Sequence, residues 1–156
     1  MDVKDVAIRQ YRAIVDRAAA SMGTPLDTPR EGWIATVRKA LGMSAAQLGR
    51  RLGVTRARIS RAEQAELAGG VTLRTMESVA KAMGCRFVYS IVPVDGPVGS
   101  VIEAQARRKA EALVGKASVQ MGLERQSLPE EKNRAEVDRL AGELMRAMGS
   151  DFWTET

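Results

Sequence analysis

Histidine is absent from this 156-residue sequence and cysteine occurs once, at Cys85. Without an imidazole there is no histidine general base, no Ser-His or Cys-His pair and no His-rich metal site, and a lone thiol rules out a cysteine zinc cluster and an intrachain disulfide. The sequence also lacks an apolar run near the roughly 20 residues of a membrane span, and its N-terminus has no apolar stretch with a cleavage site, so a cytoplasmic protein with no membrane contact is expected. Gly115-Lys116 is followed by Ala117 and lacks the upstream glycine of a phosphate loop. Carboxylates such as Glu130-Glu131 sit among lysines and arginines and read as solvated faces, so no enzyme, cofactor or metal is expected.

What the chain does have is positive charge in one place. Lys and Arg number 24 against 19 Asp and Glu, a mild excess that by itself says little. Residues 31–68, however, hold seven bases and three acids, whereas residues 97–156 hold nine and ten. Arg50, Arg51, Arg56, Arg58 and Arg61 form an acid-free cluster within that first block, as expected for a surface that meets a polyanion.

The remaining pattern is helical. Val3, Val6, Ala7, Tyr11, Ile14, Ala18 and Met22 recur at three- and four-residue steps, giving an amphipathic helix over 3–22 with Asp2 as its cap. Thr28-Pro29-Arg30-Glu31 reads as a capping box opening a helix through Trp33, Ile34, Val37 and Leu41, with Trp33 as a packing residue. Ser44-Ala45-Ala46-Gln47 is a second box, opening a short helix that ends near Gly53. Thr55 then caps a helix in which Ala57, Ile59 and Ala62 alternate with Arg56, Arg58, Ser60 and Arg61. Two short helices joined by a tight glycine turn make a helix-turn-helix unit, and its second helix carries the arginines.

The segment SAAQLGRRLGVTRARISRAE, residues 44–63, resembles the helix-turn-helix core of Xre/Cro-type regulators, with Leu48 and Ile59 inward, Leu52-Gly53-Val54 as the turn and Glu63 closing the second helix. More narrowly, the Gly-Trp-Ile start at residue 32, the TLRTMESVAKAMGC helix, FVYSIVP, the IEAQARRKAEALV helix and the aromatic Trp153 are similar to the family called mobile mystery protein A. That resemblance implies a transcriptional regulator paired with a Fic-domain protein, mobile mystery protein B, as antitoxin and toxin. One departure stands out: many Xre-type readers place Gln directly after the first cap, where this chain has Ala45. Phosphate grip then falls to helix N-termini and arginines.

A recognition helix enters the major groove N-terminus first, which makes Arg56, Ala57 and Arg61 the expected base contacts, arginine to guanine and the alanine methyl to thymine. Ser44, Gln47, Arg50, Thr55 and Arg58 are the expected phosphate contacts. Arg51 reads equally as a phosphate contact or a solvated charge.

Downstream, Thr72 caps a helix with Leu73, Met76, Val79, Ala80 and Met83 toward the core, and Cys85 reads as a small buried residue. Arg86 to Val92 is the single strand-like run. A strand without a partner leaves its amides bare, so Phe87, Val88, Tyr89, Ser90 and Ile91 are expected to pair across a homodimer, which suits a palindromic double-stranded DNA operator; a packing strand within the chain is the alternative. From Val101 or Ile102 to Met121, and from Val137 to Met148, two more amphipathic helices follow, the second opened by a Ser127-Leu128-Pro129-Glu130 box. Leu140, Leu144, Phe152 and Trp153 are the candidate anchors for a Fic-domain partner. The inhibitory helix of many Fic systems, a Ser or Thr, three residues, Glu, then Gly or Asn, has no match here, since Lys132 follows Glu131.

The expected architecture is therefore mainly α, in three segments: an N-terminal helix and linker (1–27), a helix-turn-helix domain with a terminal strand (28–93) and a helical extension (94–156). Three functions stand in contrast: an autorepressor that is also an antitoxin, a dimeric regulator of other genes with no toxin partner and, as the minority reading of the carboxylates, an enzyme.

Overall fold

A computed structural model describes residues 2–23, 26–123 and 129–154. The chain forms two compact units, one from residues 24–90 and one that joins residues 1–23 to 91–156.

The first unit contains four short helices, α2 (Gly32–Ala40), α3 (Ala45–Leu52), α4 (Arg56–Leu67) and α5 (Leu73–Ala82). Each presents one or two large apolar side chains to a common centre, where Ile34, Leu48, Ile59, Met76, Val79 and Met83 are buried. Helices this short are marginal on their own and are held by that shared burial and by their caps. Ser44 and Gln47 form a full reciprocal capping box on α3, and the Thr55 and Thr72 hydroxyls accept from the backbone N–H groups of Arg58 and Thr75.

Several expectations fail here for identifiable reasons. The helix after Pro29 begins only at Gly32, and Glu31 makes no side-chain cap; the Thr28–Glu31 box is not used because a carboxylate from α4 takes its place. Trp33 is 38% exposed and Leu73 50% exposed, while the core positions of α5 are Met76, Val79 and Met83. Cys85 is exposed. The strand does not form: residues 85–93 carry neither helix nor strand, and there is no β-strand among the described residues. A ladder needs a second strand to accept and donate, and this chain offers none. Phe87 alone packs on the core, stacking on Tyr89 at 5.5 Å between ring centres, whereas Val88, Tyr89, Ser90 and Ile91 are exposed.

The second unit contains α1 (Val3–Met22), α6 (Val98–Leu123) and α7 (Glu130–Ala147). Ile102, Ala106 and Ala110 of α6 meet Val137 and Ala141 of α7, with Phe152 closing the core. Alanines at the contact let the two helices approach closely, and the chain after α7 folds back over them. Lys109, 6% exposed, pairs with the Asp151 carboxylate at 3.0 Å and donates to the Asp151 carbonyl; Gln105 Nε2 donates to the Phe152 carbonyl at 2.8 Å. The hydrogen bond from Lys109 to the Asp151 carboxylate and the lysine charge hold that carboxyl below its usual range. On the other side, Asp16 Oδ1 of α1 accepts from the Val98 N–H at 2.8 Å, capping α6 from a distant segment, and the Arg12 guanidinium reaches the Met148 sulfur. Asp2 at the start of α1 makes no side-chain cap, and the Ser127-Leu128 part of the expected α7 box lies outside the described residues.

Candidate nucleic-acid interface

The α3–α4 turn is built from two glycines with different tasks. Gly53 adopts φ 70°, the left-handed conformation that ends α3. Gly49 needs space: a Cβ there would lie 2.7 Å from the Val54 carbonyl oxygen, which is backbone and cannot turn aside. The turn can therefore close tightly over α3, and Thr55 starts α4 immediately after it.

The chemistry of α4 follows from which side its charges take. At 100° per residue, Arg56, Ala57, Ser60 and Arg61 share one side and Ile59 and Ala62 lie opposite, Ile59 buried at 2% exposure. Helix α4 also holds two acids, and both are turned toward α2. Glu63 accepts from Arg38 Nε at 2.6 Å in a bridge whose side chains are only 12% and 17% exposed, while Arg38 also donates to the Met43 carbonyl. Glu66 accepts from the Trp33 and Ile34 N–H groups at 2.6 and 3.0 Å, satisfying the α2 N-terminus. Arg50, Arg56, Arg58 and Arg61 are all exposed and none has a carboxylate partner among the described residues. A helix with a near-balanced composition thus presents an acid-free cationic surface.

The expected phosphate contacts are distributed around that surface. Ser44, Gln47 and Thr55 are exposed at helix starts. The Gln47 carbonyl oxygen is occupied by the Ser44 N–H, leaving its NH2 to donate. The Ser44 and Thr55 hydroxyls accept from backbone N–H groups and each keeps its own proton for an anion. Arg58 and Arg61 border a shallow groove with Thr55, Val71, Thr72 and Thr75, so the α5 N-terminus adds two hydroxyls, that of Thr72, expected only as a cap, and that of Thr75, to which the sequence pattern gives no role. Arg56 lies in a separate groove with Ser44, Ala45, Ala46 and Ser60. Arg51 is a strut: its Nε donates to the Ala82 carbonyl at the end of α5.

The expected partner anchors are not brought together as an open patch. Phe152 is core at 2% exposure, because the segment after α7 folds inward, and so is no accessible anchor. Leu140 and Leu144 are half-buried against that same core, and only Trp153, edge-on to Phe152, is well exposed at 56%.

Residues 34–90 match the helix-turn-helix family model, and they form an Xre-type helix-turn-helix domain. No curated protein and no solved structure matches the chain significantly. The domain points to DNA binding and transcription regulation. No helix among the described residues is long and apolar enough to cross a membrane.

Proposed function

We propose that this chain is a sequence-specific, non-enzymatic DNA-binding repressor of the cytoplasm that reads a palindromic operator as a homodimer and serves as the antitoxin of a Fic-domain toxin. The observation that carries the DNA part is the arrangement of α4, three unpaired arginines on a helix whose two acids are turned away. Arg56 and Arg61 read guanines, Ala57 contacts a thymine methyl, and Ser44, Gln47, Arg50, Thr55 and Arg58 hold phosphates. The toxin partner rests on the resemblance to mobile mystery protein A, and Trp153 is the surface residue offered to it.

Selection of bound duplexes from a random pool by the purified chain tests the first part. A G-containing inverted repeat supports it, and recovery without sequence preference overturns it. Co-purification with the product of an adjacent Fic gene, together with growth rescue, tests the second. Specific DNA binding without such capture leaves a regulator of other genes.

A further inference from the structure

Helix α1 forms as its periodicity requires, yet it has no buried residue. The large side chains that made it amphipathic in sequence face outward: Val3 is 83% exposed, Tyr11 69%, Ile14 59% and Met22 41%, with Ala7 and Ala18 half-buried between them. Its inner side is a different set, in which half-buried Ile8, Val15 and Ala19 flank Arg12 and Asp16, the two residues bonded to Met148 and Val98. The helix therefore has two apolar faces, and its own chain covers one. Helices gain most of their stability from packing, so the second face calls for an occupant.

The order of residues on that face identifies the occupant. Val3, Ala7, Tyr11, Ile14, Ala18 and Met22 are separated by steps of 4, 4, 3, 4 and 4, a spacing that reads the same in both directions. Reversal about the midpoint between residues 12 and 13 places Val3 level with Met22, Ala7 with Ala18 and Tyr11 with Ile14, so large meets large and small meets small. The charges that flank this face also stay apart under the reversal: Lys4 falls level with Ser21 and Arg17 with Ile8. A parallel arrangement would instead set Lys4 on Lys4 and Arg17 on Arg17. An isologous two-fold contact requires this self-complementarity.

We propose that α1 is a homodimer interface in which two copies pack antiparallel through the Val3–Tyr11–Ile14–Met22 face. A 20-residue helix is about 30 Å long, and two lying side by side bury on the order of 1,000 Å² in total, the lower end of specific interfaces and the size of a transient contact. The proposal deepens the two-fold reading of the operator and is tested without DNA.

Sedimentation equilibrium of the full chain across the micromolar range is expected to show a monomer–dimer equilibrium. Tyr11→Glu and Ile14→Glu each place a charge at a position that is exposed in the single chain, so both variants keep their helical circular dichroism and both weaken dimerisation about tenfold or more. Orientation is read in a Cys85→Ser background with a short bifunctional thiol reagent. A mixture of Val3→Cys and Met22→Cys chains crosslinks, whereas Val3→Cys alone does not. A wild-type chain that stays monomeric, an undiminished Ile14→Glu dimer, or self-crosslinking of Val3→Cys overturns the proposal. Binding to a half-site duplex is measured in parallel: its absence in every chain sinks the operator reading while leaving the α1 contact standing.

Discussion

The two units spend the same kinds of residue in opposite ways. Residues 24–90 carry eleven bases and five acids, the rest of the chain thirteen and fourteen. In the first unit the acids of α4 are consumed inside, on Arg38 and on the α2 N-terminus, and the arginines are left outside. In the second unit a lysine, Lys109, is taken inside and an apolar helix face is left outside. A net charge therefore says little about a surface until the internal partners are subtracted. One unit is made to present charge and the other to present hydrocarbon.

The sharpest test of that contrast is to damage each core separately. Phe152→Ala removes a side chain that is 2% exposed and is expected to cost the second unit about 3–5 kcal/mol, with Leu48→Ala costing the first about 2–5 kcal/mol. Hydrogen exchange resolved by unit checks both, and only Leu48→Ala should abolish DNA binding at moderate temperature. Uniform loss of protection across the chain from either variant would break the comparison.

Glu66→Ala probes the acid turned inward. It strips two backbone donors at the start of α2 of their partner, each worth about 1–3 kcal/mol if left unsatisfied, less whatever water recovers at the exposed Trp33 N–H. Denaturant midpoints should fall while α4 keeps its arginine face.

Arg56→Ala and Arg61→Ala should do the reverse. With no internal partner to lose, they leave the denaturation midpoint unchanged and cost about 1–3 kcal/mol in binding to the selected operator, with relaxed sequence preference. Arg50→Ala should weaken all duplexes alike and lower the salt slope by about one. Titration on specific and scrambled duplexes separates the two behaviours.

The smallest effect concerns pH. The hydrogen bond from Lys109 and its charge depress the Asp151 carboxyl. A depressed folded-state value means that its stabilisation is present above the ordinary carboxylate range and is lost as pH falls through the folded value. Acidification below about pH 4 should therefore loosen the Asp151–Phe152 segment, because Asp151 has an ordinary value near 3.8. Trp153 emission in a Trp33→Phe background reports it, and Lys109→Met should weaken that pH dependence, leaving the part due to the carboxylate's own backbone hydrogen bond.

Sequence made the caps and the recognition helix legible because their determinants are local: Ser44, Gln47, Gly53 and Thr55 act within four residues of their targets. It also separated Leu48, Ile59, Met76 and Val79 as core through their spacing. What it missed depends on partners far along the chain. Glu66 takes over from the Thr28–Glu31 box by accepting from the Trp33 and Ile34 N–H groups, 33 and 32 residues away, and Arg38 was invisible as the mate of Glu63 because nothing in either neighbourhood signals the other. The strand was inferred from β-branched and aromatic residues alone, a preference that is realised only beside another strand. Phe152 reads as a partner anchor in the sequence because the fold-back that buries it is set by Lys109 and Gln105, more than forty residues earlier.

The second unit is discontinuous, and time enters through that fact. Asp16 must wait for Val98, 82 residues later, and Arg12 for Met148, 136 residues later. On the ribosome, residues 24–90 are complete while the other unit holds only its first helix, and at about 5–20 residues per second the helices that cover α1 follow some seconds later. During that interval the arginine face of α4 is already assembled on a nascent chain whose N-terminal helix has neither face covered. The order of synthesis thus completes the helix-turn-helix unit before the discontinuous one, and it makes the unaccompanied α1 the segment most exposed to premature association.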